Sequence, residues 1–190
     1  MIDRLLQHIK SLLPDNPICR ADILPFIRYC SVKKGDLLLK ENEPCDSIYF
    51  VGKGILYLFY EQDYTRQVIH FALENWWITD YKTFATGSPA FYSIAAMEDS
   101  ELIVMSREQY EGLLNKFPAT ALYFNKIHER AYGAALLKQK TYATVSKVDF
   151  YRYFKNTYPD ILSRIPDPIF ASYMQVSVHE LQEIREGFIS

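Results

Sequence analysis

The chain has 190 residues, 49% of them hydrophobic and 15% aromatic, with 21 Lys and Arg against 23 Asp and Glu for a net charge of −2. That length holds one large domain or a medium one with a small companion, and the apolar content suffices for a real core. Near-neutral charge excludes a globally basic nucleic-acid binder but not a local basic patch. No stretch approaches the ~18 consecutive apolar residues of a membrane span, so a soluble, cytoplasmic protein with no membrane partner is expected.

The N-terminal "MIDRLLQHIKSLL" places Ile2, Leu5, Leu6, Ile9, Leu12 and Leu13 at helical spacing. It carries charge throughout and lacks a small-residue cleavage site, so it is not a signal peptide. "PDNPICRADILPFI" breaks at prolines and restarts as a short helix around Asp22 to Ile27. Cys19, Cys30 and Cys45 have no CxxC spacing. They are expected to be structural thiols in a reducing compartment, neither a disulfide framework nor cluster ligands.

From Cys30 to about Met105, short apolar runs alternate with turn signals such as Lys34-Gly35-Asp36, Asn42-Glu43-Pro44 and Gly52-Lys53-Gly54. This spacing predicts antiparallel strands closed into a barrel or jelly roll. "YTRQVIHFAL" and "ELIVMSREQY" extend the strand pattern, with a less regular aromatic segment at 74–92 between them. His8, His70, His128 and His179 are scattered, with no HxxxH or HExxH spacing, and neither a glycine-rich phosphate loop nor a GxSxG elbow occurs. No catalytic residue, no metal site and no enzyme activity are expected, and His70 reads as a satisfied, partly buried strand residue.

At Pro118 the period changes to steps of three and four, at Phe124, Ile127, Ala131 and Ala134. A long helix over 118–143 is predicted, and the small residues on its stripe suit the close approach of a second copy. Gly133 within it costs ~1 kcal/mol relative to Ala. Residues 144–190 read as a compact helical unit. It has a helix at Lys147–Thr157, a stop at Tyr158-Pro159, a short helix at Pro168–Met174 and a last helix from Val178. The expected division is a sensor domain at 1–117, a dimer and linker helix at 118–143, and a helix-turn-helix domain at 144–190.

"VKKGDLLLKENEPCDSIYFVGKGILYLFY" resembles the opening strands of a cyclic-nucleotide-binding β-roll, with Gly35 and Gly54 at the turn glycines. With the long helix and "IPDPIFASYMQVSVHELQEIRE", the chain resembles the Crp/Fnr transcription regulators over nearly its whole length. Their last motif typically runs Ile-Ala-Ser-Tyr-Leu-Gly-Ile-Thr-Pro-Glu-Thr-Leu-Ser-Arg-Ile-Arg. Ala171, Ser172, Tyr173, Leu181, Ile184 and Arg185 match it outright. The resemblance implies an α+β protein: an antiparallel β-roll, a dimerisation helix, and a helix-turn-helix that binds double-stranded DNA.

In that family a Gly-Glu pair, then an Arg with Ser or Thr, then Ala, hold the ligand's phosphate. Here Thr79-Asp80 stands for Gly-Glu, Ala96 fits the alanine, and Ala90-Phe91 falls where the arginine pair belongs. An arginine fork grips phosphate by parallel charge-assisted bonds, and no arginine lies between Arg66 and Arg107. Without it a buried phosphate forfeits ~1.5–3 kcal/mol. A cyclic nucleotide is therefore not the expected cofactor. The segment's aromatics either fill the barrel mouth or line a pocket for an unidentified, less charged effector. The pocket set is Phe71, Trp77, Asp80, Tyr81, Lys82, Ala90, Phe91 and Tyr92.

In the last motif, Ser177 with Glu180 forms an S-x-x-E capping box, and Val178, Leu181, Ile184 and Phe188 form the expected inward stripe. The DNA-facing set is Ser172, Ser177, His179, Gln182, Glu183 and Arg185, with Lys147, Arg152, Lys155 and Arg164 as further phosphate clamps. Gln182-Glu183 stands where the family has Ser-Arg, a swing of two charges against a phosphate lattice. From residue 141 onward, five Lys and Arg face six Asp and Glu. Two readings stay open: a DNA-binding regulator, or a ligand-sensing or protein-interaction module keeping a degenerate helix-turn-helix.

Overall fold

The computed structural model describes residues 1–187. Helix α1 (Ile2–Leu12) buries Ile2, Leu5, Ile9 and Leu12, the stripe its sequence prescribes, and leaves Leu6 and Leu13 half-buried. The short helix expected at 22–27 begins earlier, as α2 (Arg20–Ile23) followed by a 3-10 turn at Leu24–Phe26. Asp22 explains the shift: its carboxylate accepts from the Cys19 amide at 2.9 Å and closes a capping box that starts the helix upstream.

Eight strands follow: β1 (Arg28–Val32), β2 (Leu37–Leu39), β3 (Ser47–Lys53), β4 (Leu56–Gln62), β5 (Thr65–Ala72), β6 (Trp77–Ile78), β7 (Ser93–Ala96) and β8 (Ser100–Ser106). They form two four-stranded sheets, ordered β1-β8-β3-β6 and β2-β7-β4-β5. Antiparallel registers such as Tyr49 opposite Val104 and Leu58 opposite Ile94 fix the alignment. β3 is buried from Ser47 to Gly52, on both of its faces, which is why it reads as a continuous apolar run and not as alternation. Between β3 and β4 the turn needs glycine twice over. Gly54 has φ +100, and a Cβ there would lie 2.1 Å from the Ser100 hydroxyl.

Two helices interrupt or close the strands. α3 (Tyr81–Thr86) lies inside the irregular aromatic segment, and α4 (Arg107–Lys116) follows β8 directly. The strand pattern through "SREQY" thus ends at Ser106, where a capping box with Gln109 turns the chain into a helix. The long helix α5 spans Thr120–Thr144 and buries only Thr120, Tyr123 and Phe124.

The remaining helices are α6 (Lys147–Thr157), α7 (Pro159–Arg164), α8 (Asp167–Met174) and α9 (Val178–Glu186). The Tyr158-Pro159 stop proves also to be a start. Proline at the first helical position has no amide to lose and a preset φ, so α7 begins there. The chain divides into two compact units, 1–60 with 70–130, and 61–69 with 131 onward. In the second, Tyr151, Phe154, Phe170, Met174, Leu181 and Ile184 supply the core. Phe154 and Phe170, 4.9 Å apart, stand near its centre. Large aromatics give a small helical unit the buried area that its length withholds.

Candidate functional site

The stretch that resembles a phosphate cassette starts where β6 ends. The Thr79 hydroxyl donates to the Ser47 carbonyl at 2.8 Å, and Asp80, 4% exposed, caps α3. One Asp80 oxygen accepts from the Thr83 amide at 3.4 Å and the other from the Phe91 amide at 2.8 Å. The carboxylate thus ties the start of α3 to the loop before β7. Ala90, 1% exposed, donates its amide to Glu43 and accepts from the Asn42 amide, both at 2.8 Å. The backbone where the family's arginine would stand is therefore spent on a ladder with residues 42 and 43.

The other expected pocket residues disperse. Phe91 is half exposed beneath the Lys82 ammonium, 5.1 Å from its ring centre, and Tyr92 leans on Tyr60 at 6.5 Å. Phe71 is buried. Tyr81 stacks edge-on against His128 at 4.8 Å, and its buried hydroxyl has no hydrogen-bond partner among the described residues. Two clefts of about 490 and 570 Å³ flank α1. The first is lined by Lys10, Asn16 and Arg20 among others, the second by Arg4, Glu74 and Glu101, and no expected pocket residue lines either.

Trp77 is a correction. It is 4% exposed and packs on Phe50 and Phe124 at 5.2 and 5.5 Å, so it is core and not pocket lining. Its indole N–H donates to the Tyr123 hydroxyl at 2.8 Å, and that oxygen lies 2.7 Å from His8 Nδ1. The indole only donates, so the Tyr123 oxygen accepts from it and leaves the Tyr123 proton available to His8 Nδ1. Burial, and secondarily Arg130, hold the His8 pKa below its ordinary value, consistent with a neutral ring. Phe124 is a second correction: at 2% exposed it belongs to this same cluster and not to a helix seam. Ile127 is half-buried, whereas Ala131 and Ala134 are exposed, as are Tyr132, Leu136 and Leu137. Above Gly133 lies open space. The solvent-facing stretch of α5 is thus shifted toward its C-terminal half and is richer in large apolar side chains than the four-residue stripe suggested.

α8, the turn and α9 have the geometry of a helix-turn-helix. Gln175 occupies the left-handed region at φ 58, where the family motif has glycine. Ser177 accepts from the Glu180 amide at 3.1 Å while Glu180 accepts from the Ser177 amide at 2.7 Å. This bonding holds the Glu180 pKa below the usual carboxylate range. Leu181 and Ile184 point inward; Val178, expected with them, is 38% exposed at the first turn, because only the later positions of the stripe meet α8 and α6. Phe188 lies outside the described residues.

His179 and Gln182 are exposed, and Glu183 sits 3.4 Å from the His179 ring one turn back. Arg185 is bound to Asp167, the first residue of α8, with Nη1 2.7 and 2.8 Å from the two carboxylate oxygens. Ser172 is engaged by the backbone of another element. Its hydroxyl donates to the Arg66 carbonyl at 2.6 Å and accepts from the Val68 amide at 2.9 Å, on strand β5. Lys147 donates to the Met174 carbonyl at 2.8 Å, and Arg152 approaches Asp149 at 3.5 Å. No sequence signal foretold Lys138, the half-buried lysine of α5. Its ammonium donates to the Ile69 carbonyl and lies 3.8 Å from the Tyr173 ring centre, and burial lowers its pKa to about 7.

Residues 29–117 match the family model described as the cyclic nucleotide-binding domain. Among solved structures, the chain is similar to the c-di-GMP responsive global regulator CLP of Xanthomonas campestris. The two are 14% identical with a TM-score of 0.72, over 88% of this chain and 89% of that one. It is similar also to a putative transcriptional regulator of the Crp/Fnr family from Eubacterium rectale, at 16% identity and TM-score 0.72 over 91% and 84% of the two chains. FixK2 of Bradyrhizobium japonicum is a third, at 12% identity and TM-score 0.70 over 85% and 84%. A comparison with curated proteins returned no sequence match. Over residues 29–117 the chain is thus similar to the cyclic nucleotide-binding domain, and it continues into a C-terminal helical unit. Its fold is that of the Crp/Fnr regulators.

Proposed function

We propose that the chain is a Crp/Fnr-type transcription regulator that acts as a homodimer and binds duplex DNA through α8 and α9. In this reading the β-roll does not take a cyclic nucleotide by the standard cassette, and its effector, if it has one, is of another kind. The observation that carries the DNA reading is the intact helix-turn-helix. α9 is capped by Ser177, anchored by Leu181 and Ile184, and presents His179 and Gln182 to solvent. Gln pairs with adenine, and Glu183 has a partner in cytosine N4. For the dimer, the support is the exposed Tyr132, Leu136 and Leu137 beside Gly133 on α5. Against the standard ligand stand the Ala90 ladder and the internal bonding of Asp80.

Selection from a randomised duplex library at low salt tests the DNA reading. An enriched site is expected, with log affinity falling linearly against log salt. No enriched site and no salt slope would sink it. Cyclic AMP or cyclic GMP at millimolar concentration is expected to leave the melting temperature unchanged; a rise would restore the standard ligand.

One observation favours a second reading, a module that no longer binds DNA: both basic side chains of α9, His179 and Arg185, already face carboxylates of this chain. Under that reading, Glu183→Arg raises nonspecific duplex affinity from near nothing to a measurable level.

A further inference from the structure

Arg185 holds a family motif position, yet its geometry is that of a side chain already in use. Nη1 lies within hydrogen-bond distance of both Asp167 oxygens, and only 30% and 35% of the two side chains remain open to solvent. The pair bridges α8 to α9, joining the first turn of one helix to the last turn of the other. A carboxylate and a phosphate oxygen present the same acceptor geometry to a guanidinium. A DNA phosphate approaching the flank of α9 therefore meets an arginine that is already neutralised. His179, the other basic side chain of α9, faces Glu183.

We infer that Asp167 is an affinity-setting residue that holds Arg185 in an internal latch and so withholds it from the phosphate backbone. The inference rests on the DNA reading proposed above. It assigns Asp167 a positioning role, since it acts on DNA only through Arg185. It also accounts for a helix-turn-helix that keeps the motif arginine yet has no unpaired cation on its recognition helix. In this state the helix reads with neutral and acidic groups, and its electrostatic hold on the backbone is correspondingly weak.

The test is duplex binding by the full chain as a function of salt, for wild type, Asp167→Asn, Arg185→Gln and the double variant. Asparagine keeps the size of Asp167 and removes its charge. Freeing one arginine per recognition helix adds two phosphate contacts in the dimer, so it should steepen the log–log salt slope by about 1.8 and raise affinity roughly a hundredfold near ~50 mM salt. The gain should vanish in the double variant, because no arginine is left to release. Arg185→Gln alone should leave the wild-type slope unchanged.

A purely structural pair would behave differently: Asp167→Asn would lower the melting temperature and leave the slope where it was. Binding by wild type and Asp167→Asn with equal slopes overturns the latch while the DNA reading stands. A gain that persists in the double variant overturns it as well. No binding by any variant overturns the DNA reading and the latch together. A readout without DNA separates the two: hydrogen exchange of the Arg185 guanidinium should accelerate in Asp167→Asn. Unchanged exchange refutes the latch whatever the fate of the DNA reading.

Discussion

Ser172→Ala separates two roles that the sequence motif cannot tell apart. As a phosphate clamp, Ser172 would contribute to duplex affinity; as the structure has it, its hydroxyl is divided between the Arg66 carbonyl and the Val68 amide of β5. β5 stands at the end of its sheet's strand order, beside β4, where a side chain can reach the backbone. Val68 is 5% exposed, so water is a poor substitute once the hydroxyl is gone. A buried donor left without a partner costs ~1–3 kcal/mol. The middle of that range, ~2 kcal/mol, corresponds to a roughly thirtyfold loss of protection when ~1.4 kcal/mol is a factor of ten. Amide hydrogen exchange at Val68 reads this directly, provided the amide opens locally and not by global unfolding. Ser172→Ala is expected to speed exchange at Val68 and to leave the salt dependence of duplex binding unchanged. Unaltered exchange at Val68, together with a shallower salt slope, would refute the reasoning and return Ser172 to the phosphate backbone.

Leu136→Glu with Leu137→Glu should convert a dimer to a monomer in sedimentation without lowering the melting temperature of the monomeric chain, since both side chains already face solvent; a variant that stays dimeric removes α5 from the interface. His8 and His128 both have folded pKa values pushed below 6.5 by burial, so the unfolded chain takes up protons first. Stability contributed above pH 6.5 is therefore lost as pH falls below that value, and His8→Gln should reduce the loss seen in melting curves; an unchanged pH dependence contradicts the Trp77–Tyr123–His8 chain. Lys138, lowered to about 7 from 10.5, makes the second unit more stable as pH rises between those values, because there only the unfolded chain holds the proton. Lys138→Met should flatten that rise in hydrogen exchange of the second unit, and a slope that survives would assign it to another group.

Most of the architecture was legible because it depends on local pattern. The amphipathic stripe of α1, the punctuated strands, the change of period at Pro118 and the Ser177–Glu180 box all declare themselves within a few residues. α4 carried an equally local signal in Ser106 and Gln109, hidden because the strand pattern runs straight into it. α7 was obscured by the same proline that starts it.

What only the tertiary structure decided is the employment of polar and aromatic side chains, because that depends on partners remote in sequence. Ser172 lies more than a hundred residues from the strand it caps. Trp77 and Phe124 read as pocket and seam until the fold closes them over Tyr123 and His8. Arg185 matches a family position in the sequence, but Asp167 at the start of α8 determines what the charge faces. Periodicity fixes which residues a helix turns inward, a property of one element alone. The partner of a charge or a hydroxyl is a property of two elements, and only packing brings them together.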